Sequence, residues 1–331
     1  VKERIEIEKD IKSFDHLKLL FEKVKFASDK EDYLEVINLL KEVNIKINDL
    51  NVSDLQKKIY KSNNFNSIGQ NYQKFGLFKE AEDYYLKSAK VNLEIPFKEN
   101  SLLVLENYLY LSDLYSEIED YESGIAILII ANNIIEKEIG EKIFASYLIA
   151  GKTGELLINK GDFLGAEVLL ESAIKGIGEF NKDHELKSKY QLELAGLYIQ
   201  QKRYNQSEIL LRQLIKKKYY KNPEIYILLS NVLLKQGKFK EAEKIALQLI
   251  KENEENYNLK SNPDHPYLIA NIAYIYDYQK LFKKSLPYHL SLLNPDYDLS
   301  FLDNDFKISI LNNVAYNLLS LGSYEEAELL L

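Results

Sequence analysis

The sequence predicts an all-α solenoid of about eight tandem helix-turn-helix repeats, the last one truncated. Three observations lead there. An aromatic residue recurs at Tyr33, Phe78, Tyr121, Phe163, Tyr204, Phe239, Phe282 and Tyr324, at intervals of 35 to 45 residues. In every copy but the first, a small residue follows three positions later: Ala81, Gly124, Ala166, Ser207, Ala242, Ser285 and Ala327, with Val36 in the first. On both sides of the aromatic, apolar residues fall at i, i+3, i+4 and i+7, the spacing of one helical face. Self-similarity at a fixed period of this size marks a repeat architecture.

The second copy shows how each repeat is built. Phe65, Ile68, Gly69 and Tyr72 make one helical face, and Ala81, Tyr85 and Ser88 make the next. The turn Phe75-Gly76-Leu77-Phe78 separates them, and Gly76 takes a positive φ there without a Cβ penalty. Gly69 and Ala81 let the two helices approach closely. A lone pair of helices buries too little apolar surface to offset the entropy of ordering its backbone. Neighbouring pairs must therefore share a core, which makes a stacked array.

In order, a charged lead-in over 1–14 precedes repeats at about 15–50, 60–92, 104–138, 147–180, 188–220, 223–256, 266–294 and 308–331. The third is carried by Leu111, Tyr115, Tyr121, Gly124 and Ala131, and the fourth by Gly154, Gly161, Phe163, Ala166 and Ala173. Tyr204 with Ser207 marks the fifth. Leu229, Gly237, Phe239 and Ala242 mark the sixth, and Ile272, Ala273, Tyr276 and Phe282 the seventh. Val314, Ala315, Gly322, Tyr324 and Ala327 mark the eighth, which stops at Leu329-Leu330-Leu331 partway through its second helix. An apolar half-helix is not the polar cap a solenoid needs, so more sequence is expected to follow.

These residue sets resemble the tetratricopeptide repeat, firmly over about 60–331 and weakly over 15–50. The usual period in that family is 34 residues. The longer spacing here, with Asn271-Ile272-Ala273 and Asn312-Asn313-Val314-Ala315, looks like the kinesin-light-chain-type variant. The resemblance implies a right-handed solenoid whose first helices line a concave groove. It also implies protein or peptide binding, and that variant recurs ahead of CHAT-type peptidase domains and other effectors.

Composition narrows the function further. The chain has 331 residues, 46% apolar and 28% charged, enough for a buried core and unlike a disordered chain. A net charge of −8 is not the footprint of a nucleic-acid or membrane-surface binder. No Cys is present, which removes disulfides, thiolate nucleophiles and Cys-ligated metals. There is no Met, even at position 1, so Val1 is not expected to be the translation start. No apolar run reaches the ~18 residues needed to span a bilayer. The cytoplasm is the default location for such a chain, and an upstream leader is equally compatible with it.

Several short patterns invite chemical readings, and each has a plainer one. Gly151-Lys152-Thr153 ends like a phosphate-binding loop, but Ser146 stands where the pattern needs Gly, and the segment falls inside a first helix. Asp296, Asp298, Ser300, Asp303 and Asp305 alternate like a calcium loop, but Phe301 and Lys307 occupy the required Gly and Glu places. A solvated inter-repeat loop accounts for them. His16, His184, His265 and His289 are scattered without metal-ligand spacing. His184 and His265 are expected in loops or at helix ends, and His289 at a half-buried packing position. Arg212, Lys216, Lys217, Lys218 and Lys221, interleaved with Tyr219 and Tyr220, form a basic run near the end of a second helix, where cations complement the dipole. No nucleophile–base pair, metal set or cofactor motif is visible, so the chain is expected to be non-enzymatic and without a cofactor.

The remaining signal lies on the first helices, where a stripe at i, i+4, i+7 and i+11 faces away from the core. It reads Glu106, Tyr110, Asp113, Glu117 in repeat three and Leu148, Lys152, Glu155, Asn159 in repeat four. It reads Glu224, Leu228, Asn231, Lys235 in repeat six and Tyr267, Asn271, Tyr274, Tyr278 in repeat seven. In repeat eight it reads Ser309, Asn313, Tyr316, Ser320. By the resemblance, Asn271 and Asn313 match groove asparagines, whose amides can pair with a peptide backbone. Tyr267, Tyr274, Tyr278 and Tyr316 would surround them with rigid amphipathic area. The expected peptide-binding residues are therefore Tyr267, Asn271, Tyr274, Tyr278, Asn313 and Tyr316. The partner is a protein or peptide, neither nucleic acid nor membrane. The alternative is a sensor or regulatory arm covalently linked to a C-terminal effector domain.

Overall fold

The computed structural model describes residues 2–139, 143–181, 184–217, 222–256, 264–293 and 304–330, with side chains from residue 15 onward except 97–102, 138, 139 and 256. Among the described residues there are sixteen α-helices and no strand. They fall into two compact units, Val1–Phe180 and Asn181–Leu331.

The first unit holds α1 (Lys2–Asp29), α2 (Tyr33–Ile47), α3 (Asp54–Lys74), α4 (Phe78–Leu93), α5 (Phe97–Glu117), α6 (Tyr121–Ile139), α7 (Phe144–Lys160) and α8 (Phe163–Phe180). The second holds α9 (Glu185–Gln200), α10 (Tyr204–Ile215), α11 (Pro223–Lys235), α12 (Phe239–Asn256), α13 (His265–Tyr278), α14 (Phe282–Ser291), α15 (Asn304–Leu321) and α16 (Tyr324–Glu328). Within each unit, every helix packs against its sequence neighbours, and alternate first helices also touch: α3 with α5, α5 with α7, α9 with α11, and α11 with α13.

The eight recurring aromatics are the first residues of α2, α4, α6, α8, α10, α12, α14 and α16. Two positions before each stands a residue in the left-handed region: Glu31, Gly76, Glu119, Gly161, Lys202, Gly237, Lys280 and Gly322, with φ between 56° and 88°. The next N–H in each turn bonds back to the carbonyl five residues earlier, as in Leu77 to Tyr72 at 2.9 Å and Lys238 to Leu233 at 2.9 Å. This is the Schellman closure, which satisfies carbonyls that the ending helix leaves unpaired. The same turn thus occurs eight times, and glycine occupies only four of them.

The small residues behave as spacers. Ala81, Ala166, Ser207, Ala242, Ser285 and Ala327 are fully buried. Gly69 accommodates a ring: a Cβ there would stand 2.7 Å from Cε1 of the buried Tyr85. Tyr85 in turn stacks on Tyr110 at 5.6 Å and donates its hydroxyl to Gln73 Oε1 at 2.8 Å.

Apolar clusters fill the space between helices. Val36, Ile37, Leu40, Val43 and Ile68 belong to one, and Leu111, Leu114, Leu128, Ile135 and Leu156 to another. In the second unit Leu211, Leu229, Leu233, Ile272 and Ile275 centre the largest. Buried polar side chains pair between helices. Asn107 donates to Asn66 Oδ1 at 2.6 Å, and Asn92 to Asn107. Unpaired, such groups would cost about 1–3 kcal/mol each.

Candidate functional site

Helix α13 begins with proline in its first turn, where a missing N–H costs nothing. Its Leu268, Ile269, Ile272, Ile275 and Tyr276 join the core of the second unit. With that side committed, positions 267, 274 and 278 turn outward. Tyr267, Tyr274 and Tyr278 are 41%, 41% and 44% exposed, and Tyr316 on α15 is 57% exposed. The contrast is Tyr276, which is buried, donates its hydroxyl to Glu243 Oε1 at 2.7 Å, and titrates well above the usual phenol range through burial and that bond.

Each of these tyrosines has an aromatic neighbour. Tyr267 rests on Phe306 of α15, with ring centroids 4.7 Å apart. Tyr274 and Tyr278 lie 6.3 Å apart, and Tyr316 meets Phe282, the first residue of α14, edge-on at 5.7 Å. From α11, Lys235 reaches across: its Nζ donates to Tyr274 Oη at 3.3 Å and lies 4.5 Å from the Tyr278 ring centroid. That hydrogen bond raises the lysine's pKa, so Lys235 remains a cation at neutral pH. Its place in the α11 stripe is the sequence signal for it. The packing partners Phe306 and Phe282 carry no such signal.

Asn271 lies elsewhere than the sequence reading put it. It is only 7% exposed, and its amide is spent on the neighbouring first helix. Oδ1 accepts from Ser230 Oγ at 2.8 Å, and Nδ2 donates to Asn231 Oδ1 at 3.2 Å. Asn313 is exposed, and its carbonyl accepts from Asn317 Nδ2 at 2.9 Å. The structure therefore brings the four tyrosines to the surface and takes one of the two asparagines out of it.

Behind this face lies a buried polar network joining α13, α14 and α15. His289 Nε2 is 2.7 Å from Asp277 Oδ2, Asn317 Nδ2 donates to Asp277 Oδ1 at 3.0 Å, and Ser285 donates to Asn317. Burial alone would raise the Asp277 pKa, but the bonds from His289, Ser285 and Asn317 outweigh it and hold the carboxyl below its usual range. His289 is fully buried rather than half-buried because Asp277 supplies its partner. His265 is buried too, with Nδ1 3.0 Å from Asn253 Oδ1, and burial lowers its pKa. His184 caps α9, its Nδ1 accepting from the Leu186 N–H at 3.2 Å.

The other sequence patterns resolve as structural features. Gly151, Lys152 and Thr153 sit inside α7, where Thr153 Oγ1 donates to the Ile149 carbonyl at 2.8 Å. Lys152 pairs with Asp113 at 2.5 Å and Glu155 at 3.2 Å. Of the basic run, Arg212 pairs with Glu208 at 2.8 Å and Glu241 at 2.7 Å, and Lys217 donates to Ser188 and Gln191. Lys238 also meets Glu208, at 2.8 Å. Burial opposes ionisation of Glu208, yet Lys238 and Arg212 pull its pKa down to about 2. Lys218, Tyr219, Tyr220 and Lys221 lie outside the described residues, as do Asp296, Asp298, Ser300 and Asp303. Asp305 stands in the first turn of α15. Among the described residues no three acidic or His side chains are grouped to hold a metal ion, and no helix is long and apolar enough to cross a membrane.

Residues 223–256, which are α11 and α12, match the sequence model of the tetratricopeptide repeat. No curated protein matches the chain. Solved structures share the fold. A signal-transduction ATPase with a tetratricopeptide repeat sensor from Pyrococcus horikoshii is 14% identical, with a TM-score of 0.61, covering 97% of this chain and 52% of that one. BtubC from P. vanneervenii is 17% identical with a TM-score of 0.57, covering 74% and 94%. A tetratricopeptide repeat protein from Parabacteroides merdae is 18% identical with a TM-score of 0.54, covering 91% and 98%. Kinesin-light-chain-like repeats from Podosopora anserina are 15% identical with a TM-score of 0.51, covering 57% and 92%. The all-α architecture of consecutive packed helix pairs is thus that of tetratricopeptide-repeat structures.

Proposed function

We propose that the chain is a non-catalytic interaction scaffold that binds a peptide or protein segment on the outward face of α11, α13 and α15. One observation carries the reading: Tyr267, Tyr274, Tyr278 and Tyr316 are exposed together, while Tyr276, Tyr190, Tyr198 and Tyr85 are buried. Tyrosine offers large contact area at low conformational cost, and clustered exposed aromatics mark binding surfaces more often than solvated ones. Tyr267, Tyr274, Tyr278 and Tyr316 form the contact set, with Asn313 at its edge. Asn271 acts one layer beneath, fixing α13 against α11.

The test is selection of random displayed peptides on the immobilised chain, with a Tyr267→Ala/Tyr274→Ala/Tyr278→Ala variant as counter-target. Selected peptides should lose binding to the variant while its helical circular dichroism and melting temperature stay unchanged. Peptides that bind parent and variant equally would overturn the site.

A second reading, a sensor arm of a larger effector, is favoured by the likeness to the Pyrococcus signal-transduction ATPase, which has a tetratricopeptide repeat sensor. The complete reading frame discriminates the two: an effector domain on the same chain supports the second.

A further inference from the structure

We infer that the first unit carries a small-molecule site between α1, α2 and α3, and that its ligand is an uncharged aromatic molecule presenting one hydrogen-bond donor. The site is a cavity of about 550 Å³, within the range of about 300–1,000 Å³ that holds small ligands. It belongs to the first unit, and the tyrosine face to the second, so the two proposals stand independently. Leu17 of α1, Leu40, Val43 and Ile47 of α2, and Leu50 just after it give the cavity its apolar lining. Among the residues that line it there is no carboxylate. The one charged residue is Lys18, whose exposed side chain keeps its ammonium in water while its stem covers apolar surface. A charged ligand would therefore lose its hydration without gaining a buried counter-ion.

Asn64 of α3 sets the polarity of the ligand. It stands in the cavity wall and is only 6% exposed. Its Nδ2 donates to the Leu40 carbonyl at 2.8 Å, which fixes the amide and commits that end. Its Oδ1 is buried and has no hydrogen-bond partner among the described residues. Buried acceptors are nearly always paired, because an unpaired one costs free energy. A ligand N–H or O–H supplies the missing partner, whereas a ligand acceptor there would meet the oxygen's lone pairs. Phe21 and Tyr60 set the shape. Both line the cavity, both are half-exposed, and among the described residues neither ring meets another ring or a cation. A flat guest gains contact with such rings beyond the area it buries. At roughly 30 Å³ for a water-sized atom, the cavity takes on the order of 15–20 non-hydrogen atoms, enough for two or three fused rings.

The experiment is equilibrium dialysis of the full chain against indole, indene and benzofuran. These fused-ring molecules are nearly equal in size and place an N–H, a CH2 and an ether oxygen at the same ring position. Indole should bind at least about fivefold more tightly than either isostere, the lower end of what an unpaired buried acceptor costs. Phe21→Ala and Tyr60→Ala should each weaken indole and indene together, by about two- to tenfold. Both side chains are half-exposed, so these variants should keep the parent's urea midpoint. Asn64→Leu should erase the preference for indole. That variant also loses the bond to Leu40, so its readout is the ratio of affinities, and the isostere comparison on the parent chain stands without it. If indole binds the parent no more tightly than indene and benzofuran, water answers Asn64 Oδ1 and the proposal falls. Decanoate is the fourth ligand: if it binds more tightly than indole and Lys18→Ala abolishes its binding, the cavity takes an anionic chain and the proposal falls. If none of the four binds, there is no site.

Discussion

The repeated turn allows a direct test of the architecture. Four of its eight left-handed positions hold Glu31, Glu119, Lys202 and Lys280, with φ of 56°, 61°, 60° and 59°. All four side chains are exposed, and none makes a hydrogen bond or ion pair among the described residues. They therefore bear the steric cost of the left-handed region with nothing in return. That cost is about 1–2 kcal/mol for a residue with a Cβ. Glycine removes it but adds about 0.5–1 kcal/mol of chain entropy to the unfolded state. Each substitution to Gly should then stabilise its unit by about 0.5–1 kcal/mol. Glu31 and Glu119 lie in the first unit and Lys202 and Lys280 in the second. The sites are separate turns, so each pair should add, giving about 1–2 kcal/mol per unit. The converse, Gly76→Ala or Gly237→Ala, should cost about 1 kcal/mol, although a Cβ at either meets nothing within 4 Å. Urea unfolding followed by helical circular dichroism reads this as a rise or fall in midpoint at constant slope. If Glu119→Gly and Lys202→Gly both lower the midpoint, or if Gly76→Ala leaves it unmoved, the common left-handed turn is refuted.

Two further stability predictions follow from contacts. Gly69→Ala should destabilise the first unit by about 1–3 kcal/mol, because the new methyl meets the Tyr85 ring, itself held by Tyr110 and Gln73; the urea midpoint checks it. Asp277→Asn should weaken the second unit by about 1–3 kcal/mol at neutral pH. The Asp277 pKa is depressed by folding, so its contribution is fully present above its unfolded value, about 3.9, and is lost as pH falls through the lower folded value. Melting temperatures of parent and Asp277→Asn should therefore converge below about pH 4; a constant gap down to pH 2 would show that the carboxylate's charge is not what the network uses.

The fold was readable because its determinants are local and periodic. Tyr33 through Tyr324 fall at the same place in eight copies, and each begins the second helix of a pair. Gly at 76, 161, 237 and 322 betrays the left-handed turn, whereas Glu31, Glu119, Lys202 and Lys280 hide it, since nothing in a single Glu or Lys signals a positive φ. Which side chains leave the core was readable in part for the same reason. A stripe at i, i+4, i+7 and i+11 predicts which residues leave the core, and it placed the four tyrosines outside. It did not foresee Asn271, whose partners Ser230 and Asn231 lie one repeat back, a distance at which side-chain pairing leaves no trace in spacing. The burial of His289 and His265 is the same kind of fact, set by Asp277 and Asn253 across a turn or loop.

Why the face of α11, α13 and α15 is singled out is clearer beside the corresponding stripe of the first unit. There, Tyr110 gives its hydroxyl to Glu106 at 2.7 Å, and Gln73 gives its amide to Glu117 at 2.6 Å. Asp113 is paired with Lys152, which also holds Glu155. Those polar groups are spent on one another, so a partner would have to displace protein hydrogen bonds to use them and would gain little net free energy. On α13 and α15 the hydroxyls of Tyr267, Tyr278 and Tyr316 have no protein partner among the described residues, and Tyr274 Oη accepts only from Lys235. Water can be displaced from a hydroxyl while the ring beneath it is buried in the same step, so apolar area and a hydrogen bond are gained together. What separates the two stripes is whether their polar groups are already committed within the protein, and by that measure a binding segment has more to gain on the second unit.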